Sequence, residues 1–241
     1  MIERVDGWLN RGRLQALVAV ALAGMAVAGV LIAVAPVDDL QGPVQKIFYL
    51  HLSTVLSAYY CFALTVAGSA WYLWRGSERA DRLARAGATT GLVLTVTCIA
   101  LGIVWAKPIW NWDPTETWDA RFTSTVVLAI MYAGSLLVRK FAPPGRTAMR
   151  LSAVVGIVAF IDVPVVYFSV DWWRTLHPGP VVERGALPPA MLVTFLVTFV
   201  ATLFLAAVLV AVRYRIESIR DAREAAMARG VLEPASGRSS S

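Results

Sequence analysis

A chain of 241 residues that is 58% apolar and only 16% charged, with a mean hydropathy of +0.63, does not have the composition of a soluble domain, which carries about 25% charged residues. Its formal net charge of +6 does not mark nucleic-acid binding, because the cations collect at a few segment ends instead of covering one face. The two cysteines, Cys61 and Cys98, lie inside apolar runs without CxxC spacing, which speaks against a disulfide or redox motif and reads as two buried small hydrophobes.

About 20 apolar residues in a helix cross the ~30 Å hydrocarbon layer of a bilayer, and six runs approach or exceed that length. They are 14–35, 44–74, 83–105, 122–138, 151–170 and 190–212. The first follows Arg11 and Arg13 as a signal peptide would, but its 22 residues exceed the ~7–15 of a signal core, so it is read as a retained helix. The expectation is an all-α integral membrane protein with six transmembrane helices. A cytoplasmic lead (1–13), with Trp8 at the inner interface, precedes the membrane domain (14–212). A cytoplasmic tail (213–241) follows it, disordered from Gly230 onward.

Orientation follows from the positive-inside rule. Lys and Arg concentrate in 1–13, 75–85, 139–150 and 213–241, whereas the alternate segments hold only Lys46, Lys107, Arg121, Arg174 and Arg184. Both termini are therefore predicted to be cytoplasmic, and the loops after helices one, three and five to face outward.

In chain order, the first polar feature is His51, about five residues past Lys46 and so roughly one and a half turns below the outer end of helix two. A histidine inside a span points to a functional site with a partner; the plain alternative is an interfacial hydrogen bond to a neighbouring helix. Helix three then runs into Trp105 to Arg121, which carries four indoles, three acids and two bases. An aromatic belt would spread such indoles over both interfaces. Here six of the nine tryptophans, Trp105, Trp110, Trp112, Trp118, Trp172 and Trp173, fall on the outer side. Asp113 is placed to cap a helix or turn before Pro114, and Asp119 to cap helix four, a role compatible with binding. Within helix five, Asp162 lies two residues before Pro164, where a kink frees backbone groups for a hydrogen bond. The outer loop that follows repeats the earlier chemistry with Trp172, Trp173, Arg174 and the second histidine, His177.

Two imidazoles brought face to face across a cavity are what an iron porphyrin needs as axial ligands. Indoles can wall its flat apolar face, and Arg121, Lys107 or Arg174 can grip its acidic propionates. Zinc fits less well, since two histidines without a third ligand make an incomplete shell.

These residues also carry a resemblance. The Trp-Asp pairs of the outer loop resemble the "WWD" signature of haem-handling membrane proteins of cytochrome c maturation. The segments Lys46-Ile-Phe-Tyr-Leu-His51, Trp118-Asp-Ala-Arg-Phe-Thr-Ser124 and Phe168-Ser-Val-Asp-Trp-Trp-Arg-Thr-Leu-His177-Pro resemble the CcmC family of haem exporter proteins over most of the chain. The loop around Trp112-Asp-Pro-Thr-Glu-Thr-Trp118 also resembles the larger relatives CcsA and CcmF. The resemblance implies that His51 and His177 are the axial ligands of a transiently bound haem b. It implies a haem cradle of Trp110, Trp112, Trp118, Asp119, Arg121, Trp172, Trp173 and Arg174. It further implies a bacterial cytoplasmic-membrane protein, not an enzyme, that presents haem at the periplasmic face to a CcmE-like chaperone, beside the CcmA and CcmB transporter components and a small CcmD-like protein. The alternatives are a CcsA-like subunit of a cytochrome c synthase, a b-type cytochrome that carries electrons, and a permease. The synthases are longer and richer in histidine. The electron carrier would need histidine pairs in both leaflets, and Asp162 alone makes no polar path for a permease.

Overall fold

The structure is a computed structural model and describes residues 10–114, 118–143, 145–173, 175–177, 179, 182, 185 and 187–228. Trp8, Glu116, Arg174, Arg184 and the tail from residue 229 onward lie outside the described residues. The described residues are nearly all helical: α1 (Arg11–Val34), a 3-10 turn (Pro43–Lys46), α2 (Ile47–Arg75), α3 (Glu78–Trp110), α4 (Ala120–Phe141), α5 (Arg146–Phe160), α6 (Asp162–Trp172) and α7 (Pro189–Ala228). They make six segments long and apolar enough to cross a membrane, with α5 and α6 forming one of them. In hydrocarbon, every backbone N–H and C=O needs an internal partner, and the helix supplies one within each segment.

Each expected apolar run lies to within a residue inside one of the six spanning segments, the second entering through the 3-10 turn and the fifth crossing from α5 to α6, but the segments run past the runs. The correction matters most for α3, which begins at Glu78 behind the cap of Ser77 and continues to Trp110, where Asn111 turns left-handed at φ +47°. Trp105 and Trp110 therefore stand on a rigid helix and not in a loop. Asp119 caps α4, accepting the Phe122 N–H at 2.9 Å, while the residues that follow Asp113 and Pro114, 115–117, lie outside the described residues. The fifth span breaks between Phe160 and Asp162. Pro164 has no N–H to offer the Phe160 carbonyl, and its ring crowds that oxygen, so the helix restarts one turn earlier. The expected hydrogen bond at this kink is not made by Asp162 Oδ2, which is buried without a hydrogen-bond partner among the described residues.

α2 and α3 form a central antiparallel pair, with α4 and the α5/α6 span on one side and α7 and α1 on the other. Glycine allows the central pair its close approach: a Cβ on Gly87 would lie 2.6 Å from the Cys61 carbonyl oxygen, and one on Gly68 2.6 Å from that of Ala80. Small residues at such crossings are the usual way membrane helices gain van der Waals contact, since lipid gives them no hydrophobic push together. At mid-depth Phe62 and Tyr132 stack at 3.7 Å between centroids, both fully buried beside Cys61 and Leu128. At the cation-rich end an ionic clasp joins three helices. Arg139 grips Asp81 with two bonds of 2.6 and 2.7 Å, while Arg85 reaches Glu217 at 2.6 Å and Asp221 at 2.9 Å. Arg213 adds a second 2.6 Å pair to Glu217.

Candidate functional site

At the opposite end the helices part around a cavity of about 740 Å³, bounded by α2, α3, α4, α6, α7 and the loops above them. Asp38, Asp39, Gln41 and Asp119 line it near the helix ends, and it extends inward to Tyr59, Thr125, Val166 and Phe199. Tyr59 is two turns along α2 from His51, about 12 Å deeper at 1.5 Å per residue.

His51 is held by α3. Its Nδ1 lies 3.0 Å from the carbonyl oxygen of Cys98. A carbonyl only accepts, so Nδ1 carries the ring proton and Nε2 keeps the lone pair. The ring rests edge-on to Trp105 at 5.8 Å and lies over Gly102. Trp105 is fixed in turn by donating its indole N–H to Gln41 Oε1 at 3.0 Å.

His177 arrives from the segment after α6, and α4 receives it. Asp119 Oδ2 accepts the Leu176 N–H at 3.1 Å and the Thr175 hydroxyl, and that hydroxyl oxygen accepts the His177 N–H at 3.1 Å. Arg121 lies beside the ring, with Nη1 3.4 Å from Nδ1 of His177. Its Nη2 donates to the Tyr167 carbonyl at 2.6 Å, and Nε reaches Ser169 Oγ at 3.5 Å. The two imidazoles lie with centroids 6.2 Å apart and planes inclined by 35°.

The sequence-predicted residues divide into two sets. His51, His177, Trp110, Trp112, Asp119 and Arg121 all line the cavity. Trp110 is 6.1 Å from Trp105, and Trp112 is buried edge-on against Phe122 at 4.9 Å. Trp118, Trp172 and Trp173 do not line it; they are 64%, 56% and 47% exposed, and Trp172 stacks on Phe168 outside. Arg121 is occupied with protein groups in this state instead of standing ready as a clamp. Cys98, Gly102, Phe195 and Phe199 line the cavity and were not singled out by sequence. For α7 a usable signal was present: Met191, Phe195 and Phe199 recur at four-residue spacing and so fall on one helix face. Among the described residues no group of three His, Cys, Asp or Glu side chains is arranged to hold a metal ion.

The chain matches a family model described as heme exporter protein C over residues 7–229. It is 35% identical to the heme exporter protein C of Bradyrhizobium diazoefficiens over 157 residues, covering 64% of this chain and 58% of that protein. It is 30% identical to the heme exporter protein C of Escherichia coli over 184 residues, covering 75% of this chain and 73% of the relative. A putative cytochrome c biosynthesis ccmC-like mitochondrial protein of Arabidopsis thaliana is 29% identical over 187 residues, covering 76% and 69%.

Proposed function

Because the chain belongs to the CcmC family, heme exporter protein C, we propose that its cavity holds one haem b between His51 and His177 and hands it to a CcmE-like chaperone. The observation that carries this reading is the 6.2 Å spacing of the two imidazoles. A ligating imidazole nitrogen sits about 2 Å from its metal, so two opposed rings sharing one iron stand with centroids roughly 6 Å apart. His51 already offers Nε2, and the Cys98 carbonyl raises the basicity of that nitrogen through the hydrogen bond at Nδ1.

Haem is cargo here, and the protein's part is ligation, orientation and exclusion of water. Trp110 and Trp112 wall the upper cavity, while Phe195 and Phe199 give the macrocycle edge an apolar floor. Trp118, Trp172 and Trp173 are exposed outside the cavity and would offer apolar surface to a docking chaperone. The chain holds only two histidines, one pair for one haem, which favours carriage over electron transfer across the bilayer. The expected setting is the bacterial cytoplasmic membrane with the cavity facing the periplasm, beside the CcmA and CcmB components and a CcmD-like protein.

The test is a reduced-minus-oxidised spectrum of the purified full chain against His51→Ala and His177→Ala. Both variants should retain less haem and lose the two-imidazole signature. Wild-type spectra in both would overturn the assignment.

A further inference from the structure

His177 sits on an irregular segment, and something must hold its backbone still if its ring is to face His51 at a fixed distance. We propose that Thr175 is the positioning residue for His177, its hydroxyl tying the second imidazole to Asp119 on α4. The inference rests on the haem reading above and adds how its ligand geometry is set.

One hydroxyl makes both links. It donates to Asp119 Oδ2 and accepts the N–H of His177. The Asp119 carboxylate is 6% exposed and engaged on both oxygens: Oδ1 caps α4 through the Phe122 N–H, and Oδ2 also accepts from Leu176. Charge-assisted bonds of this kind are about twice as strong as neutral ones. The start of α4, a rigid element, thereby becomes the reference against which His177 is registered. Asp119, which also lines the cavity, thereby acts on the second imidazole through the segment it binds, and Thr175 is the link between them. A serine can make both bonds. A valine has the same shape and makes neither.

Purified full-length protein, in detergent and freed of haem, is titrated with ferric haem b while its visible spectrum is recorded. Partners that orient a ligand typically contribute ten- to a hundred-fold in affinity, so Thr175→Val should weaken binding by about that factor. Its spectrum should move to that of His177→Ala, and Thr175→Ser should restore both affinity and spectrum. A role in folding alone would lower yield or melting temperature without exchanging one ligand signature for another. Thr175→Ala, which adds no methyl beside the carboxylate, is the second variant. If valine and alanine variants both bind haem with wild-type affinity and spectrum while His177→Ala does not, the positioning role is overturned and the haem reading stands. If His177→Ala itself keeps the wild-type spectrum, the haem reading falls and this inference with it.

Discussion

A Cβ on Gly102 would lie 3.0 Å from Cε1 of His51. The imidazole is thus laid against bare backbone on α3, and the residue that permits this has no side chain to draw attention to it. Gly102→Ala should push the ring by a few tenths of an ångström and strain its bond to the Cys98 carbonyl. Haem affinity is expected to fall several-fold, with helicity by circular dichroism unchanged. An alanine variant that titrates like wild type would show that the ring has slack to spare.

Arg121 joins the start of α4 to the end of α6 through the Tyr167 carbonyl. Arg121→Met keeps the apolar stem and deletes the donors to the Tyr167 carbonyl and Ser169 Oγ, charge-assisted bonds whose loss costs about 1–3 kcal/mol. The melting temperature of haem-free protein should drop accordingly. The same residue bears on loading, since a guanidinium only donates and Nδ1 of His177 must accept beside it. Were haem held through the other ring nitrogen, Nδ1 would carry the proton and no longer accept from Arg121, whose guanidinium would then be available to a propionate. Haem-loaded protein should therefore lose less stability from Arg121→Lys than from Arg121→Met, measured by paired melts.

Indoles of the two sets should respond differently to truncation. Trp112 is buried against Phe122, and Trp112→Ala should cost about 3–5 kcal/mol, the range for large aromatics removed from a packed site. Trp172→Ala should change stability by no more than about 0.5 kcal/mol, as surface substitutions do, and leave the haem spectrum as it was. Chaperone capture in a pull-down is where the Trp172 variant should fail.

At the far end, Glu217 is 1% exposed between Arg85 and Arg213. Glu217→Ala takes the 2.6 Å carboxylate partner from Arg213 and leaves Arg85 to Asp221 and Asp81, and should destabilise the bundle by about 1–3 kcal/mol. The haem spectrum of whatever folds should be unaltered, because the clasp lies at the opposite end of the helices from the cavity. A spectral change would mean that the two ends communicate.

Much of this was legible in the residues. Hydropathy reports burial in lipid, so the six spans could be read directly, and helix parity then sent His51, His177 and six tryptophans to one side. Parity gives a side and not a direction, however. Trp112 and Trp118 are equivalent to that argument, although one is buried on the cavity wall and the other is exposed outside it. Helix ends escaped for a related reason. An apolar run stops where lipid stops, while α3 goes on hydrogen-bonding itself to Trp110 until Asn111 ends it. Cys98 and Gly102 were invisible because one acts through a main-chain oxygen and the other through what it lacks. Thr175 was passed over since its partner is 56 positions away in the chain.

The stacked pair Phe62 and Tyr132, fully buried beyond Tyr59, bears on passage along the bundle. Two rings 3.7 Å apart leave no gap for a flat macrocycle between them, so anything seated in the cavity would have to part α2 from α4 there to travel on toward the cation-rich end.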